Sequence, residues 1–258
     1  MSIYNRLLEP AHVRRSALRE FLLMARAIQA FDAPAVASPE RAAASTGKRL
    51  TASQPQAVFL RLFHEVKAFN PDNKPFVLQF VAASHGEGAS TLAAGFAEAA
   101  AFQTGKHILL VDCNQTNGSV ASIRPAAQSL IEAFNQNGAI HDAVLPAPNS
   151  PGVALARLSA TGGAFFNIDL GDLGCLFDMA KEVFSVVVLD CPPPSEAPES
   201  LSLARCSDGT VLVVGSAAAP RSLVAATKRS IERFGGQIVG VVLNRHQSYI
   251  PRWLQRWL

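Results

Sequence analysis

Residues 76–91 read Phe76-Val77-Leu78-Gln79-Phe80-Val81-Ala82-Ala83-Ser84-His85-Gly86-Glu87-Gly88-Ala89-Ser90-Thr91. The apolar run over 76–83 predicts a strand, Gly86-Glu87-Gly88 a tight turn, and Ser90-Thr91 the start of a helix. Strand, glycine turn and helix start together aim backbone N–H groups at one point, the geometry that cradles phosphates. The phosphate-binding pattern requires a lysine between Gly88 and the hydroxyl residue Ser90. Ala89 occupies that position.

Outward from this loop, short apolar runs alternate with helical stretches. Strands are expected over 76–83, 107–112, 152–157, 185–190, 210–214 and 237–243. Helices are expected between them, over 90–103, 124–134, 173–184, 199–206 and 221–234. Runs such as Val186-Val187-Val188-Leu189 are apolar on both faces, as strands of a parallel sheet covered on both sides are. The predicted fold class is α/β: a doubly wound, mostly parallel sheet with helices on both faces, of the P-loop NTPase kind, with an N-terminal helical extension. Residues 135–151 and 158–172, rich in Gly, Pro, Asn and Ala, read as loops. Ahead of the domain, 11–30 has helical periodicity, 31–54 is an Ala/Ser/Pro-rich linker, and 55–68 is a further helix. The boundaries expected are 1–54 for helix and linker, 55–249 for the domain and 250–258 for a short terminal helix.

Two strands end in carboxylates behind the glycine loop: Ile108-Leu109-Leu110-Val111-Asp112 and Val186-Val187-Val188-Leu189-Asp190. Ligands of doubly wound sheets bind off the carboxyl ends of strands. Asp112 and Asp190, with the Ser90 hydroxyl, are therefore candidate Mg²⁺ ligands, should a nucleotide bind. The alternative is that the two aspartates cap the turns that follow them.

Composition sets bounds. The chain has 258 residues, is 49% hydrophobic and carries a formal charge of +3, enough for a large core but too mild a charge to argue for nucleic-acid binding. Cys113, Cys175, Cys191 and Cys206 form no Cys-x-x-Cys pair and read as buried free thiols. No apolar run reaches the roughly 18 residues of a membrane span. The expected location is cytoplasmic, with peripheral contact at the inner face of the plasma membrane as an open alternative.

The stretch from about 54 to 244 resembles the cytoplasmic domain of the bacterial tyrosine kinases that govern exopolysaccharide synthesis and export, within the wider group of MinD- and ParA-type P-loop ATPases. Ser84-His85-Gly86-Glu87-Gly88-Ala89-Ser90-Thr91 resembles the family's Pro-Gly-Glu-Gly-Lys-Ser-Thr loop. Asp112 matches the second Walker motif and Asp190-Cys191-Pro192-Pro193 the Asp-x-Pro-Pro of Walker B. Val241-Val242-Leu243-Asn244 resembles a late strand whose Asn contacts adenine in relatives. The resemblance implies ATP or ADP with Mg as the cofactor. Its contacts would be Gly86, Glu87, Gly88, Ala89, Ser90, Thr91 and Asn244, and Asp112 and Asp190 would be the catalytic carboxylates of an active enzyme. It also implies a membrane-bound export or chain-length protein as partner, and homo-oligomers through the helix over 55–68.

The departures from the family are informative. Ala89 replaces the lysine, and Asn114 replaces the second acid of an Asp-x-Asp pair. Tyr4 and Tyr249 are the only tyrosines in the chain, so the family's C-terminal tyrosine cluster is missing. The arginines of the oligomerisation helix are out of register, Arg61 alone standing nearby. The reading is therefore a non-catalytic or weakly catalytic scaffold, with weak or absent nucleotide binding. Its alternatives are an ATPase or tyrosine kinase with a displaced cation, or a MinD/ParA-like positioning ATPase linked to cellulose or polysaccharide synthesis. His85, Lys106, Arg124, Arg221 and Arg245 are basic residues following or near elements that reach the site. At the C-terminus, Ile250, Trp253, Leu254, Trp257 and Leu258 fall on one face of a helix. Trp253 and Trp257 either touch a membrane or partner or dock on the protein's own core.

Overall fold

The computed structural model describes residues 54–114, 128–137, 140–148, 150–159, 169–216 and 220–245. The expected N-terminal helix, most of the linker, Arg124 and the Trp-bearing C-terminal helix lie outside the described residues. In chain order the elements are α1 (Gln54–Lys67), β1 (Phe76–Ala82), α2 (Ala89–Thr104), β2 (Ile108–Asp112), α3 (Leu130–Asn137), a 3₁₀ turn (Ile140–Ala143), β3 (Val144–Pro146), β4 (Val153–Arg157), α4 (Leu170–Lys181), β5 (Val186–Cys191), α5 (Glu199–Cys206), β6 (Gly209–Gly215), α6 (Arg221–Arg233) and β7 (Ile238–Asn244).

The strands form one seven-stranded sheet in the order β3-β4-β2-β5-β1-β6-β7. Every pairing is parallel except β3 with β4. β1 lies between β5 and β6, so the loop that follows it emerges near the middle of the sheet's carboxyl edge. The double-sided apolar runs divide by strand period. Val77, Val81, Leu109, Val111, Val187, Leu189 and Leu212 face α3, α4 and α5. Leu78, Phe80, Ile108, Leu110, Val188 and Val213 face α1 and α2. Phe96 of α2 joins Phe80 of the sheet, ring centroids 5.4 Å apart, to Phe63 of α1 at 6.1 Å. Gly95 brings α1 close to α2, because a Cβ there would lie 2.4 Å from the Phe59 ring.

One polar group is built into this core. Gln79, fully buried on β1, donates to the Ser200 carbonyl of α5 at 2.7 Å and accepts from the Thr210 hydroxyl of β6 at 2.9 Å. Satisfied on both sides, the amide ties β1 to its neighbours without the cost of an orphaned polar group.

Three expectations need correction. The region 135–151 is not all loop: it holds the end of α3, the 3₁₀ turn and β3. α4 begins at Leu170, not at 173, because the Asp169 carboxylate caps it by accepting from the Asp172 N–H at 2.8 Å. Of the helix expected over 124–134, residues 124–127 lie outside the described residues, and α3 begins at Leu130. Ser129 precedes it, its hydroxyl accepting from the Glu132 N–H while the Glu132 carboxylate accepts from the Ser129 N–H, the reciprocal pair of a capping box.

Candidate functional site: the glycine loop and two aspartates

The turn after β1 is shaped by two glycines with positive φ, Gly86 at 76° and Gly88 at 93°. Gly88 is the N-cap of α2 and is left-handed, a conformation that costs an L-residue roughly 1–2 kcal/mol. The Glu87 side chain is turned inward, 1% exposed. Its Oε2 accepts from the Ser84 N–H at 2.9 Å, and its Oε1 has no hydrogen-bond partner. The loop is also held from the edge of the sheet. Asn244, at the end of β7, donates from Nδ2 to the Glu87 carbonyl at 2.7 Å and accepts the Arg245 N–H on Oδ1 at 2.9 Å. A Cβ on Gly88 would lie 2.3 Å from that Nδ2. In this arrangement the Asn244 amide is committed to the loop backbone.

Asn244→Ala is thus expected to cost about 1 kcal/mol by freeing the Glu87 carbonyl. It should also speed amide exchange in residues 84–88. Urea denaturation and hydrogen-exchange mass spectrometry check the two effects, and unchanged exchange in that loop would count against the clamp.

α2 presents its N-terminus beyond Gly88. First-turn N–H groups lack intrahelical acceptors, and the helix dipole favours an anion there. Ser90 and Thr91 sit in this turn, Ser90 partly buried and Thr91 exposed. Ala89, the first helical residue, is 8% exposed and packs into the apolar cluster between α2 and the sheet.

Parallel register sets the carboxylates side by side. Asp112 of β2 is directly opposite Asp190 of β5. The Ser90 hydroxyl interacts with Asp190, so Ser90, Asp112 and Asp190, from three elements, lie at one edge. Burial pushes the Asp190 carboxyl up to about 6; the negative charge of Asp112 adds to this and the Ser90 hydrogen bond opposes it. Asp112 accepts the Asn114 N–H on Oδ1 at 2.9 Å. A divalent cation would relieve the repulsion between the two acids. Among the described residues no group of three or more His, Cys, Asp or Glu could hold a metal by itself. Ser90, Asp112 and Asp190 are hard oxygen donors that would hold Mg²⁺ only with phosphate oxygens and water completing its shell. Mg²⁺ so held would neutralise phosphate charge. The chain's own part there would be to orient the phosphates on the α2 N-terminus and to present the two carboxylates.

The basic residues are differently placed. His85 is exposed at the loop tip, its Nδ1 3.2 Å from Glu196 Oε2. Arg245 and Arg221 are exposed and follow carboxyl-edge elements. Lys106 precedes β2 and lies at the opposite, amino end of the sheet, in a groove with Phe59, Phe102 and Gly152; it cannot serve this site. Sequence reasoning missed the inward turn of Glu87 and the register pairing of Cys113 with Cys191. The first has no sequence signal. The second was legible in the two Asp-Cys pairs that end neighbouring strands.

No protein-family model matches the chain. In sequence it is similar to the tyrosine-protein kinase CpsD of Streptococcus agalactiae, 25% identical over 182 residues that cover 66% of this chain and 75% of the relative. In structure it is similar to the kinase domain of the Escherichia coli tyrosine kinase ETK, with a TM-score of 0.67 at 14% identity, covering 84% of this chain and 88% of the other. It is also similar to the septum site-determining protein MinD of Pyrococcus horikoshii in complex with Mg-ADP, with a TM-score of 0.56 at 17% identity, covering 70% and 76%. The chain has an α/β fold similar to that of these tyrosine-kinase and MinD-type domains. Among the described residues no helix is long and apolar enough to cross a membrane.

Proposed function

We propose that this tyrosine-kinase-like P-loop domain serves as a non-catalytic regulatory or scaffold subunit of a bacterial exopolysaccharide synthesis and export system. One observation carries the reading: Ala89 stands where the phosphate-contacting lysine belongs, in a loop otherwise complete. The glycines keep their positive φ angles, α2 starts on cue, and Ser90, Asp112 and Asp190 are assembled. Shape has been kept and the cation that stabilises charge on a transferring phosphoryl group has not. Asn114 and the scarcity of tyrosines point the same way. The domain would act by holding a membrane-bound export or chain-length protein, with Mg-nucleotide bound weakly or not at all. Peripheral membrane contact through Trp253 and Trp257, and assembly with further copies, belong to the same proposal.

The test is complementation. In a strain lacking this chain, Ser90→Ala should restore polysaccharide output as fully as the native chain does. Removing that hydroxyl takes away a metal ligand but leaves the fold's surfaces alone. Loss of output with normal protein levels would favour an enzyme that works through Ser90.

A further inference from the structure

The two strand-end carboxylates are each followed by a cysteine. Cys191 closes β5, and Cys113 is the first residue past β2. The ladder that sets Asp112 opposite Asp190 continues one step, since the Cys113 N–H donates to the Asp190 carbonyl at 2.9 Å. Both side chains belong to the apolar cluster on the α3/α4/α5 face, 8% and 3% exposed. The Cys113 thiol donates to the Val111 carbonyl at 3.7 Å, and the register places Cys191 beside it on the adjacent strand, on the same face of the sheet. Neighbouring strands run about 4.8 Å apart, inside the roughly 4.4–6.8 Å Cα separation that a disulfide spans. Of the other two cysteines, Cys206 turns its thiol to the Leu170 carbonyl at 3.7 Å, and Cys175 lies within α4.

We propose that Cys113 and Cys191 are a modification site: a dithiol that closes to a reversible disulfide when hydrogen peroxide reaches it. The sulfur of one cysteine attacks the peroxide O–O bond, giving a sulfenic acid and one molecule of water. The neighbouring thiol then displaces hydroxide from that sulfur, forming the S–S bond and a second water. Two thiols are oxidised and one peroxide is reduced. The bond would join β2 to β5 one residue past Asp112 and Asp190 and so fix the spacing of the carboxylate pair. Both sulfurs are buried, 8% and 3% exposed, so the first step is slow and only small oxidants reach them. The second step is intramolecular, because the register holds the partner cysteine on the adjacent strand, on the same face.

The full-length chain is treated with a modest excess of hydrogen peroxide, quenched, unfolded, alkylated, digested and analysed by mass spectrometry. The expected product joins the Cys113 and Cys191 peptides with loss of two hydrogens. Cys175 and Cys206 should be alkylated, and dithiothreitol should reverse the link. Cys191→Ser should give no link and leave a dimedone-reactive sulfenic acid on Cys113. The same treatment in urea separates geometry from chance: the link should form in far higher yield in the folded chain. Full alkylation of both cysteines after peroxide, pairing with Cys175 or Cys206, or equal yields in folded and unfolded chains would each overturn the assignment.

Discussion

Ala89→Lys is expected to tighten Mg-ATP binding by about 10- to 100-fold in a calorimetric titration. A charge-assisted hydrogen bond is worth roughly 1.5–3 kcal/mol, and each ~1.4 kcal/mol is a decade in affinity. The scaffold for that bond is in place: Gly86 and Gly88 hold the loop, Asn244 clamps it, and α2 starts at residue 89. A lysine there would need no new backbone geometry, only to carry its stem out of the apolar cluster that surrounds Ala89 toward the phosphates. Ala89→Met is the control, since it supplies the stem without the charge and should bring no gain. Equal affinities for the native chain and Ala89→Lys would mean that the loop does not receive phosphate in the way its shape implies.

Asp190→Asn is expected to stabilise the protein above pH 6. The carboxyl is raised from 3.8 to about 6, chiefly by burial, which is worth ~3 kcal/mol at most. The sign follows from proton linkage. The folded state holds this proton more tightly than the unfolded state does. The contribution is therefore fully present below about pH 4, is lost as pH rises to about 6, and is flat beyond. Urea denaturation at several pH values should show the native chain weakening across that window relative to Asp190→Asn, with the difference greatest at neutral pH. Mg²⁺ should stabilise the native chain more than the variant, because it neutralises the acid pair that the amide removes. A variant less stable than the native chain at pH 7.5 would contradict this account of Asp190.

Much of this architecture was legible in the residues. The glycine loop, the two apolar strands ending in Asp and the doubly apolar runs fix a parallel sheet with its site at the carboxyl edge, because those features answer to local chemistry and strand period. α5 falls where its pattern places it, at Glu199–Cys206. The errors have physical causes. β3 is three residues long and pairs antiparallel at an edge, too short to show a period. Helix starts shifted where capping by Asp169 or Ser129 outweighed the apolar spacing. The site's interior depended on tertiary packing: nothing local says that Glu87 folds inward, that Asn244 grips the loop from the far end of β7, or that Lys106 lies at the wrong end of the sheet.

Whether this fold transfers a phosphoryl group decides between scaffold and enzyme. The most direct measurement is release of γ-phosphate from Mg-ATP by the full chain under single-turnover conditions, beside a lysine-bearing relative of the same fold. The prediction is no release above the buffer background from the native chain, with no phosphate incorporated at Tyr4 or Tyr249. Release at a rate comparable to that of the lysine-bearing relative would contradict it and make the chain an enzyme with a cation supplied from elsewhere.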